Sequence, residues 1–87
     1  MFQVYRSGRA EKEFNKLEDG YRKRIEDMAK ILETDPVPVK LYDVKKMRGL
    51  ANTFRIRIGK IRILYGIYWE EKVIVIAKIE PRESAYD

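Results

Sequence analysis

Residues 54 to 69 read Phe54-Arg-Ile-Arg-Ile-Gly-Lys-Ile-Arg-Ile-Leu-Tyr-Gly-Ile-Tyr-Trp69, and the rest of the chain is organised around them. The first five alternate apolar and basic, the period of a strand with one buried face. Gly59-Lys60 fits a two-residue type II′ turn, which wants glycine at its first central position. A second strand follows from Ile61 to Tyr68. That turn predicts Ile58 opposite Ile61, Arg57 opposite Arg62 and Ile56 opposite Ile63. The isoleucines then pave one face, and Arg55, Arg57 and Arg62 stand on the other. Like charges directly opposite each other destabilise a strand pair. A hairpin that concentrates them is either wetting that face or holding a place for an anion.

The surrounding charge sharpens the choice. The 87 residues carry a net +5, unevenly placed. Residues 1 to 44 hold nine basic and nine acidic side chains, whereas 45 to 69 hold seven basic (Lys45, Lys46, Arg48, Arg55, Arg57, Lys60, Arg62) and no acid. Three basic against five acidic residues close the chain. One-signed charge over one structural unit suggests a polyanionic partner, nucleic acid first, with an acidic protein segment as the alternative. Cysteine and histidine are absent, which removes thiolate chemistry and the commonest general base and metal ligand. No metal or cofactor is expected. No apolar run reaches the length of a membrane span and the first residues lack a signal-peptide core, so the expected compartment is the cytoplasm and no membrane partner is implied. One glutamine and two asparagines beside abundant Lys, Arg, Glu and Ile are the bias of hyperthermophile proteins.

Upstream, Phe2 to Arg6 alternates as a short strand. Ser7 can cap a helix from about Gly8 to Glu18, with Ala10, Phe14 and Leu17 on one face. Asp19-Gly20 breaks that pattern and opens a second helix whose stripe is Tyr21, Ile25, Met28 and Leu32. Asp35-Pro36-Val37-Pro38 ends it. These stripes read as core. Val39 to Thr53 carries no clear period; Leu41, Val44 and Met47 are its candidate anchors and Gly49 marks a turn. Downstream, Val73 to Ile79 is nearly continuously apolar, which predicts a central strand covered on both faces. Whether Lys78 joins the arginine face depends on the parity of the preceding loop. Pro81 ends pairing. One domain over 1–87 is expected, of α+β class: β-α-α-β-β-β, a mainly antiparallel sheet with a helical hairpin packed on one face.

In order and residues, the helical pair, Lys46-Met47-Arg48-Gly49, the Phe54 to Tyr65 run, Lys78-Ile-Glu-Pro-Arg82 and Tyr86 resemble the RelE/ParE toxin superfamily, over nearly the whole chain. Resemblance to the RelE branch implies the toxin of a type II toxin–antitoxin system that enters the ribosomal A site and cuts messenger RNA, the 2′-hydroxyl attacking its neighbouring phosphate. It implies a cognate RelB-like antitoxin as partner, with DNA met only through the toxin–antitoxin complex. It implies no cofactor.

The resemblance also implies site residues. Where the RelE pattern places two lysines on the first hairpin strand, this chain has Arg55 and Arg57; Arg62, Arg82 and Tyr86 match the later positions. A guanidinium is no base near neutrality, but it can donate to the equatorial oxygens of a phosphorane. The general base is left among Lys46, Lys60 and Lys78, a ribosomal group, or none. Tyr86 is expected to stack on a base, and Lys45, Lys46, Arg48 and Lys60 to contact RNA. Tyr65, Tyr68 and Trp69 are read as packing. Two other functions stay open: a ParE-type gyrase inhibitor of the same fold, and a non-catalytic module that binds antitoxin and represses.

Overall fold

The hairpin forms in the register its turn dictates: Ile58 pairs with Ile61, Arg57 with Arg62 and Ile56 with Ile63. Gly59 has φ +56 and Lys60 is not in the positive region, as a II′ turn requires. Glycine is needed there twice over, because a Cβ would stand 2.5 Å from the Tyr21 hydroxyl. That hydroxyl accepts the Lys60 N–H at 3.0 Å and latches the turn to a helix.

Around the hairpin, the computed structural model describes residues 1–81, so Arg82 and Tyr86 lie outside the described residues. The order is β1 (Gln3–Arg6), α1 (Gly8–Asn15), α2 (Asp19–Thr34), β2 (Asp43–Lys46), β3 (Thr53–Ile58), β4 (Ile61–Tyr68) and β5 (Val73–Pro81). The strands make one sheet in the order β1-β5-β4-β3-β2. Among the described residues only β1 with β5 pairs in parallel. The architecture is α+β, with both helices on one face of a mainly antiparallel sheet.

Each helix is positioned by local chemistry. The Ser7 Oγ accepts the Ala10 N–H at 3.1 Å and caps α1. The helix stops at Asn15, short of the expected Glu18, because Lys16 and Leu17 donate to Glu13 and Phe14 in a tightened last turn and Glu18 becomes the cap of α2. Ala10 and Phe14 of α1 and Ile25, Met28 and Leu32 of α2 pack on Ile56, Ile63, Tyr65 and Ile76. Tyr65 is fully buried and donates to the Pro36 carbonyl at 2.7 Å. Burial, helped by the Asp35 charge, pushes its phenol well above its ordinary value.

Three expectations change. β2 is a fifth strand inside the stretch without a clear period. It is short, lies at the sheet edge and offers one inward apolar residue, Val44, between charged neighbours, so period two has almost nothing to register on. Leu41 is exposed; Pro38 and Tyr42 hold that segment to the core instead. Third, β5 is covered on one face only: Ile74, Ile76 and Ile79 are buried, while Val73 and Val75 are half-buried and Ala77 is exposed.

The spacing 74, 76, 79 records a bulge. Tyr65 pairs with Ile76 and Leu64 with Lys78, so Ala77 is the extra residue. Helix α1 satisfies the backbone around it: Ser7 Oγ donates to the Ala77 carbonyl at 3.0 Å, and Glu13 accepts the Ile79 N–H at 2.8 Å. Beyond the bulge the faces exchange. Lys78 and Glu80 therefore join the arginine face.

Candidate functional site

Arg55 and Arg57 on β3 and Arg62 on β4 point away from the helices, from two strands each paired on both sides. Lys45 on β2 lies opposite Arg55 and adds to the same face. Past Lys46 the chain turns at Gly49, φ +75, and carries Met47 and Arg48 over the sheet. Together Lys45, Lys46, Met47, Arg48, Arg55, Arg57 and Arg62 line a depression of about 260 Å³. Six of those seven residues are cationic.

Arg55 is only 5% exposed, the one charged side chain buried among the described residues. Its Nη1 stands 3.5 Å from a carboxylate oxygen of Asp43 and makes no hydrogen bond among the described residues. On the far side Arg62 Nη2 lies 3.8 Å from Glu80, which β4–β5 pairing sets directly opposite. Carboxylates thus flank the arginine row from the two neighbouring strands. A guanidinium already desolvated and held by its strand is a fixed donor, suited to an oxyanion and unsuited to taking a proton.

Of the residues expected at the site, Arg55, Arg57, Arg62, Lys45, Lys46 and Arg48 come together. Lys60 does not: it sits at the β3–β4 turn and lines a separate depression with Lys16, Leu17 and Tyr21. Arg82 and Tyr86 fall outside the described residues. Met47, Asp43 and Glu80 belong to the site and were not expected there. Asp43 is two residues from Lys45, so recognising β2 as a strand would have placed both on one face. Glu80 was hidden by the bulge. Tyr65 is core, and Tyr68 and Trp69 are exposed at the other end of β4. A larger depression of about 560 Å³ lies at that end, between Ala51 and Glu71. Among the described residues it is lined by Glu70 and Glu71 and by no cation, so none of them offers a phosphate a counter-charge there.

A family model described as the ParE toxin of the type II toxin–antitoxin system parDE matches residues 4–86. The chain belongs to the RelE/ParE toxin family. Within it the relatives place the chain on the RelE branch. It is 34% identical over 85 residues to RelE1 of Methanocaldococcus jannaschii, named a candidate toxin, covering 98% of this chain and 94% of that one. It superposes on the archaeal RelE–RelB complex from Pyrococcus horikoshii with TM-score 0.86 and 32% identity, over 97% of this chain and 98% of that one. The RelB–RelE antitoxin–toxin complex from Methanococcus jannaschii gives TM-score 0.80 at 25% identity, over 97% and 96%. This family member is therefore a type II toxin of RelE type. Among its described residues no helix is long and apolar enough to cross a membrane.

Proposed function

We propose that this RelE-family toxin, acting as a single domain in the cytoplasm, cleaves messenger RNA in the ribosomal A site and is neutralised by a RelB-like antitoxin. The observation that carries the reading is the depression in which Arg55, Arg57 and Arg62 meet Lys45, Lys46 and Arg48. In the reaction the 2′-oxygen of one nucleotide bonds to its own 3′-phosphorus and the bond from phosphorus to the next 5′-oxygen breaks. The products are a 2′,3′-cyclic phosphate and a 5′-hydroxyl. Arg55 and Arg57 donate to the equatorial oxygens, and Arg62, held between two paired strands, stabilises the charge that develops. Arg82 is assigned to the leaving 5′-oxygen and Tyr86 to base stacking on the family pattern. Of the candidate bases, Lys46 lines the depression and Lys78 stands on the same face, which supports them over Lys60, a residue that lines a different depression.

Relatives crystallised as toxin–antitoxin complexes support the RelB-like partner. The ParE description of the family model favours a second reading, inhibition of gyrase. One experiment separates them. Purified protein is added to ribosomes programmed with a defined message, 5′ ends are mapped by primer extension, and gyrase supercoiling is measured in parallel. The expected result is ribosome-dependent cleavage with supercoiling unaffected. Inhibited gyrase with intact message would overturn the assignment.

A further inference from the structure

We propose that Glu80 is a positioning residue for Arg62, anchored from behind by Arg9 and Glu13 of α1. The inference rests on the cleavage reading above. Four charged side chains run in series from the helix to the arginine face. Glu13 Oε1 accepts the Ile79 N–H at 2.8 Å, and its Oε2 lies 3.2 Å from Arg9 Nε. Arg9 Nη2 donates to Glu80 Oε2 at 3.3 Å, and Glu80 Oε1 stands 3.8 Å from Arg62 Nη2. The bulge at Ala77 brings Glu80 to this face, and Glu13 satisfies the Ile79 donor beside that bulge.

At 3.8 Å the Glu80 carboxylate attracts the guanidinium without accepting a hydrogen bond from Nη2. Arginine has a long, rotatable side chain, and a fixed opposite charge narrows the positions its head visits. Because Glu80 is itself tied to Arg9, the point of attraction is set by the helix. Arg62 then meets the phosphate already oriented, and little reorganisation is left as charge develops. The same carboxylate repels the substrate phosphate in the ground state. A tether of this kind aids turnover and weakens binding, and that split of opposite signs separates it from a merely structural role.

The test uses the full-length protein on programmed ribosomes. Glu80→Gln is expected to lower kcat about tenfold, as loss of orientation does, while KM falls several-fold. Binding is read separately with a message carrying 2′-deoxyribose at the scissile nucleotide, which cannot be cut. There Glu80→Gln should tighten Kd several-fold with Arg62 present or replaced, because the repulsion is direct, whereas in an Arg62→Gln background it should leave kcat within about twofold, because the orienting effect runs through Arg62. Arg9→Gln, a change at an exposed position compatible with folding, should shift kcat and KM in the same directions by less. A wild-type protein that cuts nothing overturns the functional reading itself. A cutting wild type with unchanged kcat in Glu80→Gln and Arg9→Gln, or an equal kcat loss with and without Arg62, overturns only the tether.

Discussion

The two faces of the β3–β4 hairpin share strands, turn and register, yet burial has opposite consequences on them. Ile56, Ile58, Ile61 and Ile63 are all 5% exposed or less. Arg55, one residue from Ile56 and on the other face, is 5% exposed as well. The isoleucine face is covered by two helices and gains free energy from every apolar contact removed from water. The arginine face is narrowed by Lys45 to Arg48 and by Asp43 and Glu80 on the flanking strands. There, burial costs hydration, and neighbouring carboxylates offset part of that cost. One face is a place of stability. The other gathers cations, and on the reading proposed above it serves RNA rather than stability.

If that division is right, the two faces fail differently. Arg62→Ala should cut message 100- to 1,000-fold more slowly, the scale of one lost oxyanion donor. Its circular dichroism and antitoxin pull-down should match wild type. A folded Arg62→Ala protein with wild-type cleavage would remove the arginine face from the mechanism. Ile63→Ala is the mirror experiment and should cost about 2–5 kcal/mol of stability in denaturant titration. Cleavage per folded molecule should survive it. Should that substitution abolish activity at full folding, the two faces would not be separable.

A smaller effect sharpens the electrostatic half. Replacing Arg55, Arg57 and Arg62 together with glutamine should flatten the log–log salt dependence of ribosome or RNA binding by about 0.7 per phosphate lost, two to three phosphates in all. An unchanged slope would move phosphate binding to Lys45, Lys46 and Arg48. The smallest effect probes the helix-side face through pH. Tyr65 is neutral and buried, with its phenol raised by burial. Its contribution is therefore fully present below the unfolded value near 10 and is lost as pH rises past it. Tyr65→Phe should lose about 1 kcal/mol at neutral pH with the Pro36 hydrogen bond, and less above pH 10. A constant difference between the two proteins across that range would contradict the assignment.

The hairpin was legible because everything that specifies it is local. Alternation, a glycine at the one turn position that needs φ > 0, and two aligned strands set which side chains share a face before any other element is placed. The helices were legible for the same reason, with Ser7 and Pro36 marking where α1 begins and α2 gives way. Their ends were less so, since the α1–α2 junction is settled by competing caps at Lys16 and Glu18.

The amino-acid sequence by itself determined that isoleucines and arginines part onto opposite faces of one hairpin, that two amphipathic helices cover the apolar face, and that the cations cluster without acids between residues 45 and 69. Tertiary structure decided what surrounds the arginines. The edge strand β2 carries Asp43 and Lys45 to them only because it pairs with β3, a contact that its four charged-rich residues do not announce. The bulge at Ala77 shifts strand parity and delivers Lys78 and Glu80 to the same face, while Lys60, closer in sequence, is held away at the turn. Local periodicity sets which way neighbouring side chains point. Which strands meet, and where one residue is skipped, depends on the fit between distant segments.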